Sequence, residues 1–229
     1  MKYSTIFLDF DDTLIDTQGY ATKCLRLIYT KYGLNRYFPT SDDFINTYHQ
    51  HIGKLWEAYA LAEIDKQTLL ETRFDKTFEG FPEVRKDFLR RVNDDFVQLV
   101  VKNDIRIDGA EEILKYLKKK YQIVMLSNGF SEMQYDKLEN AGFTRYFDDV
   151  ILSDVVGVNK PHPDIFNFAL GKMRVTADRS IMIGDSYMAD IKGAINSNID
   201  QIWYNPKKEK AETAPTYSID SLYQIKDIL

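Results

Sequence analysis

Thr5-Ile6-Phe7-Leu8-Asp9-Phe10-Asp11-Asp12-Thr13-Leu14 is the stretch that decides how this chain of 229 residues is read. Its first half is apolar without alternation, and its second half crowds three acids together. A short run that is apolar on both faces suits a strand covered by helices on either side, as in a parallel sheet. Similar runs recur at 122–126, 179–183 and 200–204, with a weaker one at Val150-Ile151-Leu152. Helical patterns lie between them. Residues 111–120 carry Ile113, Leu114 and Leu117 on one stripe. Residues 131–141 open on Ser131 as a capping residue and stop at Gly142. Residues 163–173 start with Pro163, tolerated in a first turn. Strands alternating with helices predict an α/β fold with a doubly wound, mainly parallel sheet of Rossmann-like type.

Residues 17–102 read differently. They hold no convincing strand but four helical segments, at 20–32, 41–62, 67–78 and 83–101, broken at 33–39, 64–66 and 80–82. The expectation is a four-helix bundle inserted after the first strand, so that 1–16 and 103–229 form the α/β core and 17–102 a helical domain. The polar stretch 207–216 reads as a surface loop.

Composition narrows the partners. The chain is 44% hydrophobic and 28% charged, with a formal net charge of −5. That balance repels polyanions and argues against nucleic-acid polymers, while a small phosphorylated metabolite is accommodated if a metal and local cations offset the field. The single Cys24 excludes an intramolecular disulfide, fits a reducing compartment and reads as a small buried residue. The opening Met1-Lys2-Tyr3-Ser4 leads into an apolar run too short for a signal core, and no run approaches the ~20 residues of a membrane span. The expectation is a soluble, cytoplasmic protein without membrane contact, as a monomer or homodimer.

The candidate chemistry sits where these strands end. In an open α/β sheet ligands bind at the carboxyl ends of the strands. Asp9 and Asp11, two apart along a strand, address one side. Two carboxylates held together repel unless a cation intervenes, and a hard divalent ion such as Mg²⁺ suits oxygen donors. After the run at 179–183 comes Gly184-Asp185-Ser186-Tyr187-Met188-Ala189-Asp190, whose Asp185 could complete a metal site. Ser127-Asn128-Gly129 and Asn159-Lys160-Pro161 offer a hydroxyl, main-chain amides and a lysine, which a phosphate needs. Taken singly, Asp12 is a turn residue, Asp190 a solvated helix residue, Ser127 a cap and Lys160 a surface cation. Together, all four clusters end strands or their loops.

Asp-x-Asp-x-Thr at 9–13, Ser127, Lys160-Pro161 and Gly-Asp-Ser-x-x-x-Asp at 184–190 resemble, in order, the four motifs of the haloacid dehalogenase superfamily. Asp12 stands where many members have glycine. The resemblance implies that Asp9 is a nucleophile forming an aspartyl-phosphate and that Asp11 is its general acid and base. It implies Mg²⁺ held by Asp9, the main-chain carbonyl of Asp11 and Asp185. Ser127, Asn128 and Lys160 would bind phosphate, and Asp190 would orient Lys160 or a metal-bound water from behind. Dehalogenases of the superfamily lack an aspartate at the place of Asp11, so its presence favours phosphate esters. Asp9 and Ser127 are 118 positions apart, and Ser127 and Lys160 only 33. In the family this spacing implies a helical cap of the first type.

Asn-Gly after Ser127, Asp190-Ile191 and Trp203-Tyr204-Asn205-Pro206 are similar to the pyrimidine 5′-nucleotidase branch. Sugar-phosphate phosphatases, including acylneuraminate-9-phosphate phosphatases, share much of the pattern. Trp56, Tyr59 and Arg73 are the cap candidates for substrate contact, since aromatics stack a base and arginine pairs with an anion. Their competing role is cap core and a surface ion pair. His49 and His51 point to different sides of a helix and make no metal pair. Two other classes compete. A phospho-accepting receiver domain is about half this length and lacks the insertion. An inactive binding protein would normally have lost an acid, and none is missing. A dinucleotide-dependent reductase is disfavoured because no Gly-x-Gly-x-x-Gly follows the first run.

Overall fold

A computed structural model describes residues 2–229 of the chain. Six strands, β1 (Thr5–Leu8), β2 (Gln122–Ser127), β3 (Asp149–Leu152), β4 (Ser180–Gly184), β5 (Asp200–Tyr204) and β6 (Tyr217–Ile219), form one sheet in the order β3-β2-β1-β4-β5-β6. Every neighbouring pair is parallel. The centre is β1, in register with β2 (Ile6 opposite Ile123) and β4 (Ile6 opposite Ile181).

The apolar runs have no polar side because both faces are covered. Ile6 and Leu8 pack with Ile123, Met125, Ile181 and Ile183 in one core cluster. Phe7 packs with Val124, Leu126 and Met182 in another, as the two-residue period of a strand requires. The first cluster is closed by Ile113, Leu114 and Leu117 of α5 (Ala110–Leu117) and Leu138 of α6 (Ser131–Asn140). The second is closed by Ile165, Phe166 and Ala169 of α8 (Pro163–Met173). Burying each such side chain stabilises by roughly 1.5–3 kcal/mol, which is why the central strand tolerates none that is charged.

Two local expectations change. The strand β6 is three residues long, with two of them exposed, and carries no periodic signal. The stretch 207–216 before it forms no strand or helix and is mostly exposed. Ser131 is the first residue of α6 rather than its cap. Its main-chain N–H and its hydroxyl both donate to Asp154 Oδ2 at 2.9 Å, so the capping acceptor comes from α7 (Ser153–Val156).

The chain divides into two compact units: the residues up to Asp16 with Asp104–Leu229, and Thr17–Asn103. The second consists of α1 (Thr17–Lys31), α2 (Ser41–Ala60), α3 (Lys66–Thr77) and α4 (Lys86–Val100). Thr40 and Asp43 form a reciprocal capping box at the start of α2, and Asp65 accepts the Thr68 N–H at the start of α3. The apolar stripe of α4, with Leu89, Val92, Phe96 and Val100 buried, follows helical spacing. Aromatic rings fill this unit. Phe38 meets Phe78 edge-on at 5.2 Å, Phe74 meets Phe96 edge-on at 5.5 Å, and Tyr48 lies 5.4 Å from Phe74.

Candidate active site

The strand order reverses between β1 and β4, and ligands of open α/β sheets bind outside the carboxyl ends at that point. The chain leaves β1 through Asp9, whose N–H donates to Ile183 O on β4 at 2.9 Å, and leaves β4 through Asp185. Asp9 is 7% exposed and Lys160 is 1% exposed. The Lys160 ammonium donates to Asp9 Oδ1 at 2.7 Å, Asp190 Oδ1 at 2.6 Å and the main-chain oxygen of Leu126 at 2.6 Å. All three of its protons are used, and its charge is locked between two acids.

Thr13 ties the two strand ends together. Its hydroxyl lies 3.2 Å from Asp9 Oδ2 and 3.1 Å from Asp185 Oδ1, and it accepts the Asp185 N–H at 3.1 Å. The indole of Trp203 on β5 donates to Asp185 O at 2.8 Å, fixing the peptide that carries this acid. Asp190 lies in a π-helical turn, Tyr187–Lys192. Its other carboxylate oxygen accepts the Ser186 N–H at 3.0 Å. Gly184 permits that approach: a Cβ there would lie 2.2 Å from Asp190 Oδ2.

Electrostatics set this cluster apart. Burial pushes the Asp9 carboxyl up to about 7; Lys160 opposes the rise, and Asp190 and Asp11 add to it. Asp185 is raised well above the usual carboxylate range by burial, with Asp9, Asp190 and Asp12 adding and Thr13 opposing. Burial alone would lower Lys160, but the carboxylates of Asp190 and Asp9 outweigh it and hold the ammonium charged. Oxygens of Asp9, Asp185 and Asp190 lie within 4.8 Å of one another, and the one lysine among them pairs with Asp9 and Asp190. A divalent cation would cancel the remaining two charges, and a set of carboxylate oxygens suits a hard ion. Both oxygens of Asp190 hold nitrogen donors, whereas Asp9 Oδ2 and Asp185 Oδ1 share the single proton of the Thr13 hydroxyl, so Asp9 and Asp185 are the pair best placed to ligate it.

Asp11 adds to the rise of the Asp9 carboxyl, but strand alternation is not what places it. The strand β1 ends at Leu8, so the two-residue alternation does not carry to Asp11. Its carboxylate accepts from Lys137 Nζ at 2.7 Å and Gln134 Nε2 at 2.6 Å, both on α6. The Asp11 carboxylate is not part of the cluster formed by Asp9, Asp185 and Asp190, and the expected metal contact of Asp11 is its main-chain carbonyl. Ser127, at the end of β2, is 2% exposed and accepts from Gly129 N at 3.0 Å and Gln134 Nε2 at 2.8 Å. Asn128 is expected to serve phosphate through main-chain amides, and its side chain has a separate task. Its Nδ2 donates to Lys160 O, and its Oδ1 accepts the Lys160 N–H, each at 2.8 Å. A side-chain amide paired with one peptide in both directions holds the lysine's loop and leaves little for a ligand.

Gln134 and Lys137 escaped the reading of the sequence. They are three apart on α6, hence on one face, and 0% and 6% exposed. A polar pair three apart on a short helix reads as solvated, and only their burial marks them.

Trp56, Tyr59 and Arg73 belong to the helical unit. Trp56 is 37% exposed and meets Tyr59 edge-on at 5.9 Å. Arg73 is no surface residue. It is 5% exposed, donates to Asn93 Oδ1 at 2.6 Å, lies over the Phe96 ring at 5.3 Å, and leaves Nη2 without a hydrogen-bond partner. His49 pairs with Thr22 at 3.1 Å. No helix among the described residues is long and apolar enough to cross a membrane.

Known proteins are similar to this one along the whole chain. The pyrimidine 5′-nucleotidase YjjG of Escherichia coli is 30% identical, with 100% of this chain and 99% of that protein aligned. The glyceraldehyde 3-phosphate phosphatase of Methanothermobacter thermautotrophicus is 29% identical over 98% of each. A crystal structure of the HAD-hydrolase YfnB of Bacillus subtilis bound to magnesium superposes with a TM-score of 0.91 at 27% identity, covering 100% of this chain and 99% of that one. The family model for haloacid dehalogenase-like hydrolases matches residues 3–198. That span contains every side chain of the cluster around Asp9, and the chain belongs to the haloacid dehalogenase-like hydrolase family.

Proposed function

We propose that this enzyme hydrolyses phosphomonoesters with Mg²⁺ through a phosphorylated Asp9. One observation carries the reading: Asp9 is a buried carboxylate at the strand-order reversal, with Lys160 at 2.7 Å and Asp185 as a second acid in need of a cation. In the first step an oxygen of Asp9 forms a bond to phosphorus, and the bond from phosphorus to the ester oxygen breaks. Asp11 gives that oxygen a proton, and the alcohol leaves. In the second step Asp11 takes a proton from water as the water oxygen attacks phosphorus, which frees Asp9 and inorganic phosphate. Splitting one displacement into two is what a covalent nucleophile achieves, and proton transfer of this kind is worth roughly 10²–10⁴-fold. Ser127 and Lys160 hold phosphoryl oxygens, and Asp190 keeps Lys160 aimed. Asp9, Asp185 and the main-chain carbonyl of Asp11 would hold Mg²⁺, which would supply neutralisation of the phosphoryl charge.

The helical unit would act as the cap that chooses the substrate. The favoured substrate class is a small nucleotide such as a pyrimidine 5′-monophosphate. The name of the E. coli relative supports it, as does the part-exposed Trp56 ring, which has a face for a base. The named activity of the Methanothermobacter relative supports the second reading, a sugar or triose phosphate. A screen of nucleoside monophosphates and sugar phosphates with Mg²⁺ separates them. Higher kcat/KM on deoxypyrimidine monophosphates is the expected result, and a clear preference for sugar phosphates would overturn the substrate choice.

A further inference from the structure

One carboxamide links two groups of the site that the strand ends deliver separately. The Nε2 of Gln134 donates to Asp11 Oδ2 at 2.6 Å and to Ser127 Oγ at 2.8 Å. Both of its protons are therefore in use. The Oε1 of the same side chain is buried and has no hydrogen-bond partner among the described residues. The amide has one sensible orientation, because the reverse would set Oε1 against the Asp11 carboxylate. A buried carboxamide with an unfilled oxygen is unfavourable for folding, so its place follows from what its nitrogen does.

Two consequences follow for its partners. Ser127 Oγ accepts from Gly129 N and from Gln134, which fills both lone pairs. Its hydroxyl is left as a donor, the polarity a phosphoryl oxygen requires. Asp11 accepts on Oδ2 from Gln134 and on Oδ1 from Lys137 at 2.7 Å. A donor on each oxygen fixes the rotation of the carboxylate plane. Gln134 and Lys137 are three apart on α6, so one helix face supplies both donors.

Gly129 supplies an independent indication that this place is reserved. A Cβ on Gly129 would lie 1.7 Å from Gln134 Nε2 and 2.4 Å from its Cδ. The side chain of Gln134 thus passes through the space that any residue other than glycine would fill.

We propose that Gln134 and Lys137 are positioning residues, which hold Asp11 for proton transfer to the leaving oxygen and orient Ser127 as a donor to the phosphoryl group. The proposal rests on the phosphatase reading above. Its signature is dependence on the leaving group. A p-nitrophenolate departs with little help, whereas an alkoxide needs its proton, and kcat/KM senses only the steps up to that departure.

The test compares kcat/KM for p-nitrophenyl phosphate and for a simple alkyl phosphate in the wild type, Lys137→Met, Lys137→Arg, Gln134→Met and Gly129→Ala, each checked for folding by circular dichroism. Lys137→Met and Gln134→Met are expected to lose roughly 10²-fold on the alkyl ester, the low end of general-acid catalysis, and at least about tenfold less on the aryl ester. Lys137→Arg keeps the ion pair and recovers most of the alkyl-ester rate. Gly129→Ala displaces Gln134 and reproduces the Gln134→Met pattern. Gln134→Met also weakens inhibition by inorganic phosphate, since Ser127 is no longer held as a donor. Equal losses on the two esters, or none on either, overturn the positioning role while the phosphatase reading stands. Absence of Mg²⁺-dependent turnover in the wild type overturns both. If Gln134→Met does not fold, the contrast of Lys137→Met with Lys137→Arg decides the matter.

Discussion

The two units of this molecule are built from opposite materials. The α/β unit buries charge: Asp9, Lys160, Asp190 and Lys137 are all less than a tenth exposed, and each has a charged partner. The helical unit buries rings, and its one deeply buried cation, Arg73, leans on an amide and an aromatic face. Apolar packing holds a bundle together without directing chemistry. A paired set of buried charges is poor stabilising material, because desolvation offsets most of the attraction. Its presence at the strand ends marks a site kept for function.

Breaking the charge network gives the largest stability effect. Lys160→Met leaves Asp9 and Asp190 without their shared counter-ion and is expected to destabilise by about 3–5 kcal/mol, with loss of activity. Urea denaturation checks this, and a change below about 1 kcal/mol would mean that the acids relax into water.

A second contrast comes from metal and pH. Burial raises Asp9 from the usual 3.8 to about 7 and raises Asp185 in the same direction. Between those values the folded chain binds more protons than the unfolded one. Without metal, the contribution of Asp9 to stability therefore falls as pH rises from about 4 to about 7; the penalty is absent below that window and complete above it. Mg²⁺ on the ionised pair removes the penalty. The thermal shift on adding Mg²⁺ is expected to be several degrees larger at pH 8 than at pH 5, and to vanish in Asp185→Asn. Equal shifts at both pH values would contradict it.

The smallest effect is expected in the helical unit. Arg73→Met exchanges a buried guanidinium with an unfilled Nη2 for an apolar chain of similar length. Stability is expected to stay within about 1 kcal/mol or to rise, with KM unchanged. A tenfold rise in KM without loss of stability would return Arg73 to the list of substrate contacts.

The contrast between the units also governs what the sequence discloses. The central strand was legible because Ile6, Phe7 and Leu8 leave no polar face, and the acids at Asp9 and Asp185 were legible because they interrupt apolar runs. Each is a local signal. The side-chain pairing of Asn128 with the Lys160 peptide was not legible, because it joins loops 32 positions apart. Gln134 was missed because its burial depends on a Cβ that Gly129 lacks, a relation no helical pattern contains, and Lys137 because its partner Asp11 is 126 positions away. Arg73 was read as a substrate contact or a member of a surface ion pair, because nothing in its own helix shows that α4 covers it with Phe96. The strand β6 was invisible for want of length.

The central claim is that Asp9 becomes phosphorylated. Acid-quenched wild-type enzyme, mixed with Mg²⁺ and p-nitrophenyl phosphate and digested, is expected to carry one phosphoryl group on the peptide that contains Asp9. The Asp9→Asn protein, folded and loaded with Mg²⁺, should carry none and should not turn over. A phosphoryl group on another peptide, or wild-type turnover by Asp9→Asn, would contradict the account.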